Sequence, residues 1–175
     1  ALTPAPMTAL PLTHHFEDSG VVYHRTSWNA DATAVAFKAG PPEGHRATTL
    51  LGQVPEWKLS SGHAHPDAGS FIIWARGRYL TGDTGYAGQP QARHHNTITV
   101  GGQGQGDEGE HDVWRKMDQA ALNTVRIALV QITPHGMRVE ADAAGAYLPS
   151  SGLVRFHRTF AVTGADQFSI TDVIE

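Results

Sequence analysis

Residues 153–162, LVRFHRTFAV, alternate with a period of two: Leu153, Arg155, His157 and Thr159 interleave with Val154, Phe156, Arg158 and Phe160. Successive side chains of an extended strand point to opposite faces, so such a run makes a strand with one apolar and one polar face. Strand-like runs recur at residues 21–26, 33–38, 70–75, 123–132, 137–141 and 168–174. No long segment carries the 3.6-residue period of a helix, and residues 114–122 are the one helical candidate. Turn-forming stretches separate the runs: EDSG at 17–20, PPEG at 41–44, and the glycine-rich loop GGQGQGDEG at 101–109. The last has a GxGxxG-like look, but no strand–helix context with a following basic residue supports phosphate binding there. The chain therefore reads as all-β, an antiparallel β-sandwich.

Size and composition agree. At 175 residues, with 40% hydrophobic and 17% charged residues, the chain is long enough for one domain with a real core. A net charge of −4 gives it no general attraction to nucleic acid or to anionic membranes, so neither is expected as a partner. There are no cysteines, which excludes disulfides and thiolate metal sites. No run approaches the ~18 apolar residues of a membrane-spanning helix. The opening ALTPAPMTALPLT has no charged n-region or apolar h-region and does not read as a signal peptide. It is proline-rich and uncharged, and residues 1–15 read as a linker or extended arm before a domain at 16–175.

The compositional outlier is histidine, at eleven residues. Six occur in close pairs: His14 with His15, His63 with His65, and His94 with His95. Within residues 61–100, GHAHPD precedes the strand SFIIWA, a turn at Gly77-Arg78, a second short strand, Asp83 in GDTGY, and then His94-His95-Asn96. A strand–turn–strand unit can gather such groups at one end of a hairpin. Two neutral imidazoles and a carboxylate converging there suit a divalent metal such as zinc. The plainer alternative is three unrelated polar residues bonded to backbone near turns.

These residues resemble the heparinase II/III-like polysaccharide lyases, in their C-terminal β-sandwich domain. The matching elements stand in order: His63, His65, Asp67 and Ser70-Phe71, then Asp83 with Gly85-Tyr86, then His95-Asn96-Thr97, then Val100-Gly101-Gly102 leading to Gln103 and Gln105. The opening strands with their Arg25-x-Ser27-Trp28 segment and the basic pair of LVRFHRTFAV also resemble family segments. The resemblance implies cleavage of an acidic, uronate-containing glycan by β-elimination, in the periplasm or outside the cell. It implies Zn2+ on His65, Asp83 and His95, in a mainly structural role. It also implies part of a larger sandwich, incomplete at the C-terminus and completed by an α/α toroid or a partner chain.

In such a lyase a base removes the C5 proton of the uronate, and an imidazole can exchange that proton near neutral pH. His63 is the candidate, with the role of fourth ligand or hydrogen-bond partner of a ligand as its alternative. Asp67 is expected to orient an imidazole or cap a turn. Asn96 is a candidate for the uronate carboxylate or a pin for its own turn. Arg93 is a candidate for sulfate or carboxylate, and Trp57 for stacking on a sugar ring. Trp74 is expected in the core, and packing is the expected role of Tyr86. A non-catalytic carbohydrate-binding module that keeps a structural zinc is the competing function. A cupin-like metal enzyme is a third, but Phe71 stands where a cupin motif wants glutamate.

Overall fold

Alternating apolar side chains give the chain two antiparallel sheets, seen in a computed structural model that describes residues 4–57, 59, 63–86, 88–108, 113–164 and 167–175. Ser61 and Gly62, which open the histidine stretch, and Gly109 of the glycine-rich loop lie outside the described residues. The first sheet holds β1 (Thr13–Phe16), β2 (Val21–Arg25), β3 (Ala34–Lys38), β4 (Ser70–Ala75) and β5 (Arg78–Tyr79), hydrogen-bonded in chain order. The second holds β6 (Arg126–Thr133), β7 (Gly136–Asp142), β8 (Phe156–Thr163) and β9 (Gln167–Ile174), also in chain order. Neighbouring strands in both sheets run antiparallel.

The two sheets bury their apolar faces against each other. Val22, Val35, Phe37 and Ile73 from the first meet Met137, Val139, Phe160 and Val162 from the second. Phe160 is the hub, stacked on Phe37 at 5.7 Å and on Phe71 at 5.2 Å between ring centroids. The expected all-β sandwich is the observed fold. Trp74 differs from expectation: the alternation of β4 places it on the outer face, half-buried, with its ring edge against Tyr79 at 4.9 Å.

Several boundaries move for local reasons. The expected arm gives its last residues to β1, which pairs with β2. The β4–β5 turn is Arg76-Gly77 rather than Gly77-Arg78. Both turn residues have positive φ, 52° and 75°, and Ala75 pairs with Arg78 across them, as in a tight hairpin. A short helix α1 (His45–Thr49) follows the proline break, where no helix is expected from the pattern. The helical candidate at 114–122 is realised later, as α2 (Gln119–Thr124), because Asp118 caps it by accepting the Ala121 N–H at 2.9 Å. β6 consequently starts at Arg126.

A second core closes one end of the sandwich. Leu59, Ala64, Ala68, Val113, Trp114, Met117, Leu122, Tyr147 and Phe156 pack there, drawn mostly from loops and from α2. The histidine stretch crosses this end. Among the described residues no helix is long and apolar enough to cross a membrane.

Candidate active site

The stretch from His63 to Ala68 runs over the loop core with its own alternation. Ala64, Pro66 and Ala68 are buried, while His63, His65 and Asp67 are exposed or half-buried. The small residues hold the segment down. Trp114 Nε1 donates to the Ala64 carbonyl at 2.8 Å, and the Gln105 side chain takes both polar groups of Ala68, accepting its N–H at 2.9 Å and donating to its carbonyl at 2.7 Å. Gly69 then turns the chain into β4 at φ +80°, where a Cβ would approach the Phe156 ring to 3.0 Å.

The structure brings His65, Asp83 and His95 together. His95 is buried, and its Nδ1 lies 2.8 Å from Asp83 Oδ2. An ionised carboxylate can only accept, so Nδ1 carries a proton, and it is the Nε2 lone pair that the neutral tautomer offers. Asp83 Oδ1 accepts the Gly85 N–H at 2.8 Å, so both carboxylate oxygens are engaged. Burial alone would raise the Asp83 pKa, but the His95 hydrogen bond, the Gly85 N–H and the nearby imidazoles outweigh it and hold it below the usual carboxylate value. The His65 ring centroid is 5.3 Å from that of His95. Burial lowers the His65 pKa and so favours the neutral ring, opposed in part by the Asp67 charge.

The fit to a metal can be read from these atoms. His65 Nε2 and His95 Nε2 are both buried without a hydrogen-bond partner, which is costly for a polar atom unless something else binds it. Two adjacent orphaned imidazole nitrogens match the donor chemistry of zinc. Among the described residues, however, no three His, Asp or Glu side chains are grouped closely enough to hold an ion. Asp83 stands as the carboxylate that orients His95, a frequent partner of a metal-binding histidine.

His63 lies beside this pair but differs from it. Its Nδ1 is 3.0 Å from the Tyr86 hydroxyl, and both residues are exposed. The Tyr86 ring also meets His65 edge-on at 4.8 Å between centroids, so Tyr86 joins the exposed histidine to the half-buried one. Asp67 forms an ion pair with Lys38 at 2.5 Å rather than bonding an imidazole.

The expected substrate residues scatter. Asn96 donates both amide hydrogens to backbone, to the Phe71 carbonyl at 2.8 Å and the Gly82 carbonyl at 2.9 Å, so it pins β4 to the Asp83 turn. Arg93 is exposed in a short 3-10 turn and lines a polar pocket of about 420 Å³ with Gln91, Thr99 and Gln103. Trp57 lines a groove of about 380 Å³ with Leu51, Leu59, Trp114 and Met117. Nδ1 of His94 is buried without a partner, and His157 pairs with Asp142 at 2.8 Å.

Sequence reasoning misses two buried side chains that hold the site. Gln105, fully buried, joins Ala68, Thr97 and Tyr147. Arg158 reaches the loops from β8. The signal for Arg158 is visible in the alternation, which puts a charged residue on the apolar face between Phe156 and Phe160. Gln105 closes the motif that starts at Val100, but nothing in its glycine-rich loop marks it as buried.

Comparison with known proteins fits this geometry into a family. A family model described as heparinase II/III-like, C-terminal, matches residues 8–175. A heparin-sulfate lyase of Bacteroides stercoris is 33% identical over 107 residues, which is 53% of this chain and 14% of that protein. A crystal structure of a heparan sulfate lyase mutant from Pedobacter heparinus superposes with a TM-score of 0.64 at 21% identity, covering 98% of this chain and 23% of that one. A heparinase III structure superposes with a TM-score of 0.60 at 15% identity, covering 91% and 22%. The chain thus spans less than a quarter of each relative, and at these identities the two structures speak for the fold. The chain belongs to the heparinase II/III-like family, as its C-terminal domain.

Proposed function

We propose that this domain supplies part of the active site of a polysaccharide lyase that cleaves an acidic, uronate-containing glycan by β-elimination. The observation that carries the reading is the family match over residues 8–175. The exposed position of His63 supports giving it the chemistry. An imidazole open to solvent, 3.0 Å from a phenol, can take the C5 proton of a docked uronate while Tyr86 holds the ring. The electron pair of the C5–H bond becomes the C4–C5 double bond as the C4–O bond breaks, and the leaving oxygen takes up a proton, which leaves an unsaturated uronate.

His65 and His95 would hold Zn2+ through their orphaned Nε2 atoms, with Asp83 fixing the His95 tautomer. When bound, zinc would supply a fixed positive charge and tie two loops together. The protein residues do the rest: Asn96 and Gln105 keep those loops in place, and Arg93, in its own polar pocket, offers a fork for a sulfate or carboxylate. A periplasmic or extracellular location and a toroid domain or partner chain that walls in the glycan belong to the same proposal.

The test is a β-elimination assay of the full chain on heparan sulfate, heparin, chondroitin sulfate and alginate, following the ultraviolet absorbance of the unsaturated product. Turnover of a uronate glycan supports the reading. Binding of these glycans without turnover would favour a non-catalytic carbohydrate-binding module.

A further inference from the structure

Arg158 is a buried cation that the chemistry above does not use. Only 5% of it is exposed, on the inner face of β8 between Phe156 and Phe160. Nε and Nη2 donate to the two carboxylate oxygens of Asp172 on β9, each at 2.7 Å. Nη1 donates to the Gly69 carbonyl and to the Asn96 carbonyl, also at 2.7 Å each. Gly69 ends the loop that carries His65, and Asn96 directly follows His95. One nitrogen therefore bridges the backbones of the two histidine-bearing segments, and Asp172, its cross-strand neighbour on β9, anchors the guanidinium to the second sheet.

We propose that Arg158 is a positioning residue that sets the separation and orientation of the His65 and His95 rings. The planar fork is what makes this possible. A guanidinium offers five donors in fixed directions, so holding Asp172 with two nitrogens aims the third at the carbonyls. Lysine keeps the charge but not the fixed directions, so it cannot hold the anchor and both carbonyls in one geometry. The ion pair is also more than is needed to pack a core, since an apolar side chain of similar volume commonly serves as well. The Ala68–Thr97 and Gln105 bonds fasten neighbouring residues of the same segments, whereas Arg158, among the described residues, hydrogen-bonds them to the second sheet.

The inference rests on the proposed role of His65 and His95, and the test separates the two. Arg158→Lys, Asp172→Asn and, as a stability control, Val139→Ala are made in the full chain. Long-range proton–nitrogen spectra of the metal-free protein report the tautomer and environment of each histidine ring. Zinc titration with a competing chelator reports affinity. Positioning predicts that Arg158→Lys shifts or broadens the His65 and His95 ring signals and weakens zinc binding at least about tenfold. The control, with comparable loss of melting temperature, leaves the ring signals where they were. If Arg158→Lys does not fold, Asp172→Asn decides, because freeing the anchor moves the same two ring signals in the same direction. Ring signals and zinc affinity no more altered than in the control would overturn the proposal and leave Arg158 a core ion pair. If the wild-type chain binds no zinc, the metal reading fails and the ring signals still decide the role of Arg158.

Discussion

The space between the sheets and the space beneath the histidines are both interior, yet they are built differently. Between the sheets, Phe37, Phe71 and Phe160 stack among valines, and the contacts there are non-directional. At the end of the sandwich, a buried glutamine, a tyrosine hydroxyl and a buried arginine sit among Trp114, Met117 and Phe156. Gln105 bonds Ala68, Thr97 and the Tyr147 hydroxyl, which in turn donates to the Ile98 carbonyl at 2.8 Å. Apolar packing tolerates a substitution that conserves volume, whereas a satisfied polar network does not tolerate loss of one partner. The first kind of interior makes the fold stable. The second fixes where loops go, and the candidate site depends on that.

This contrast can be broken by substitution. The largest effect is expected from Phe160→Ala, which empties the hub between the sheets and costs about 3–5 kcal/mol of stability by the usual penalty for truncating a buried aromatic. Phe160→Leu, in contrast, keeps most of the volume and stays folded. Denaturant unfolding measures both. Gln105→Leu conserves volume too, but leaves the buried N–H of Ala68 without its acceptor and costs about 2–3 kcal/mol by the penalty for an unpaired buried group. If Gln105→Leu proved as mild as Phe160→Leu, the two interiors would not differ in kind.

Asp83→Ala sharpens the site itself. Loss of a carboxylate that only orients a metal-binding histidine weakens affinity about 10–100-fold. Zinc titration showing complete loss would instead make Asp83 a direct ligand.

The smallest effect is on pH. Burial lowers the pKa of His24, and of His15 and His65 with smaller opposing or reinforcing charges. These rings resist protonation when folded but take up protons near the ordinary value of 6.5 when unfolded. Stability is therefore full above that value and is lost as pH falls below it. The urea midpoint should drop between about pH 7.5 and about pH 5.5. His24, buried on β2 with its Nδ1 2.7 Å from the Thr13 hydroxyl, should contribute, so His24→Asn should flatten the profile.

The same contrast explains what was legible in the sequence. The sheets were, because period-two alternation of Val22, Val35, Phe37, Val139 and Phe160 directly encodes which face is buried. That Asp83 bonds His95 beside His65 fits the expected gathering of these motifs around one hairpin, although among the described residues no three such groups stand close enough to hold an ion. The supports were not legible. Gln105 lies in a glycine-rich loop that reads as flexible, and its burial depends on a partner far along the chain at Tyr147. Asn96 bonds two carbonyls, one of them in the separate Asp83 turn, which no local pattern announces. The helix α1 is too short to show a period, and α2 depends on the Asp118 cap more than on its apolar spacing.

In the proposed division of labour, half-buried His65 and buried His95 hold the metal and the exposed His63 does the chemistry. This division is tested most directly by measuring zinc content, melting temperature and turnover together on His63→Ala in the full chain. A kcat lowered about 10²–10⁴-fold is expected, as for loss of a positioned acid–base group, with zinc content and melting temperature unchanged. A variant that loses its zinc and its stability together, or that keeps full turnover, would contradict it.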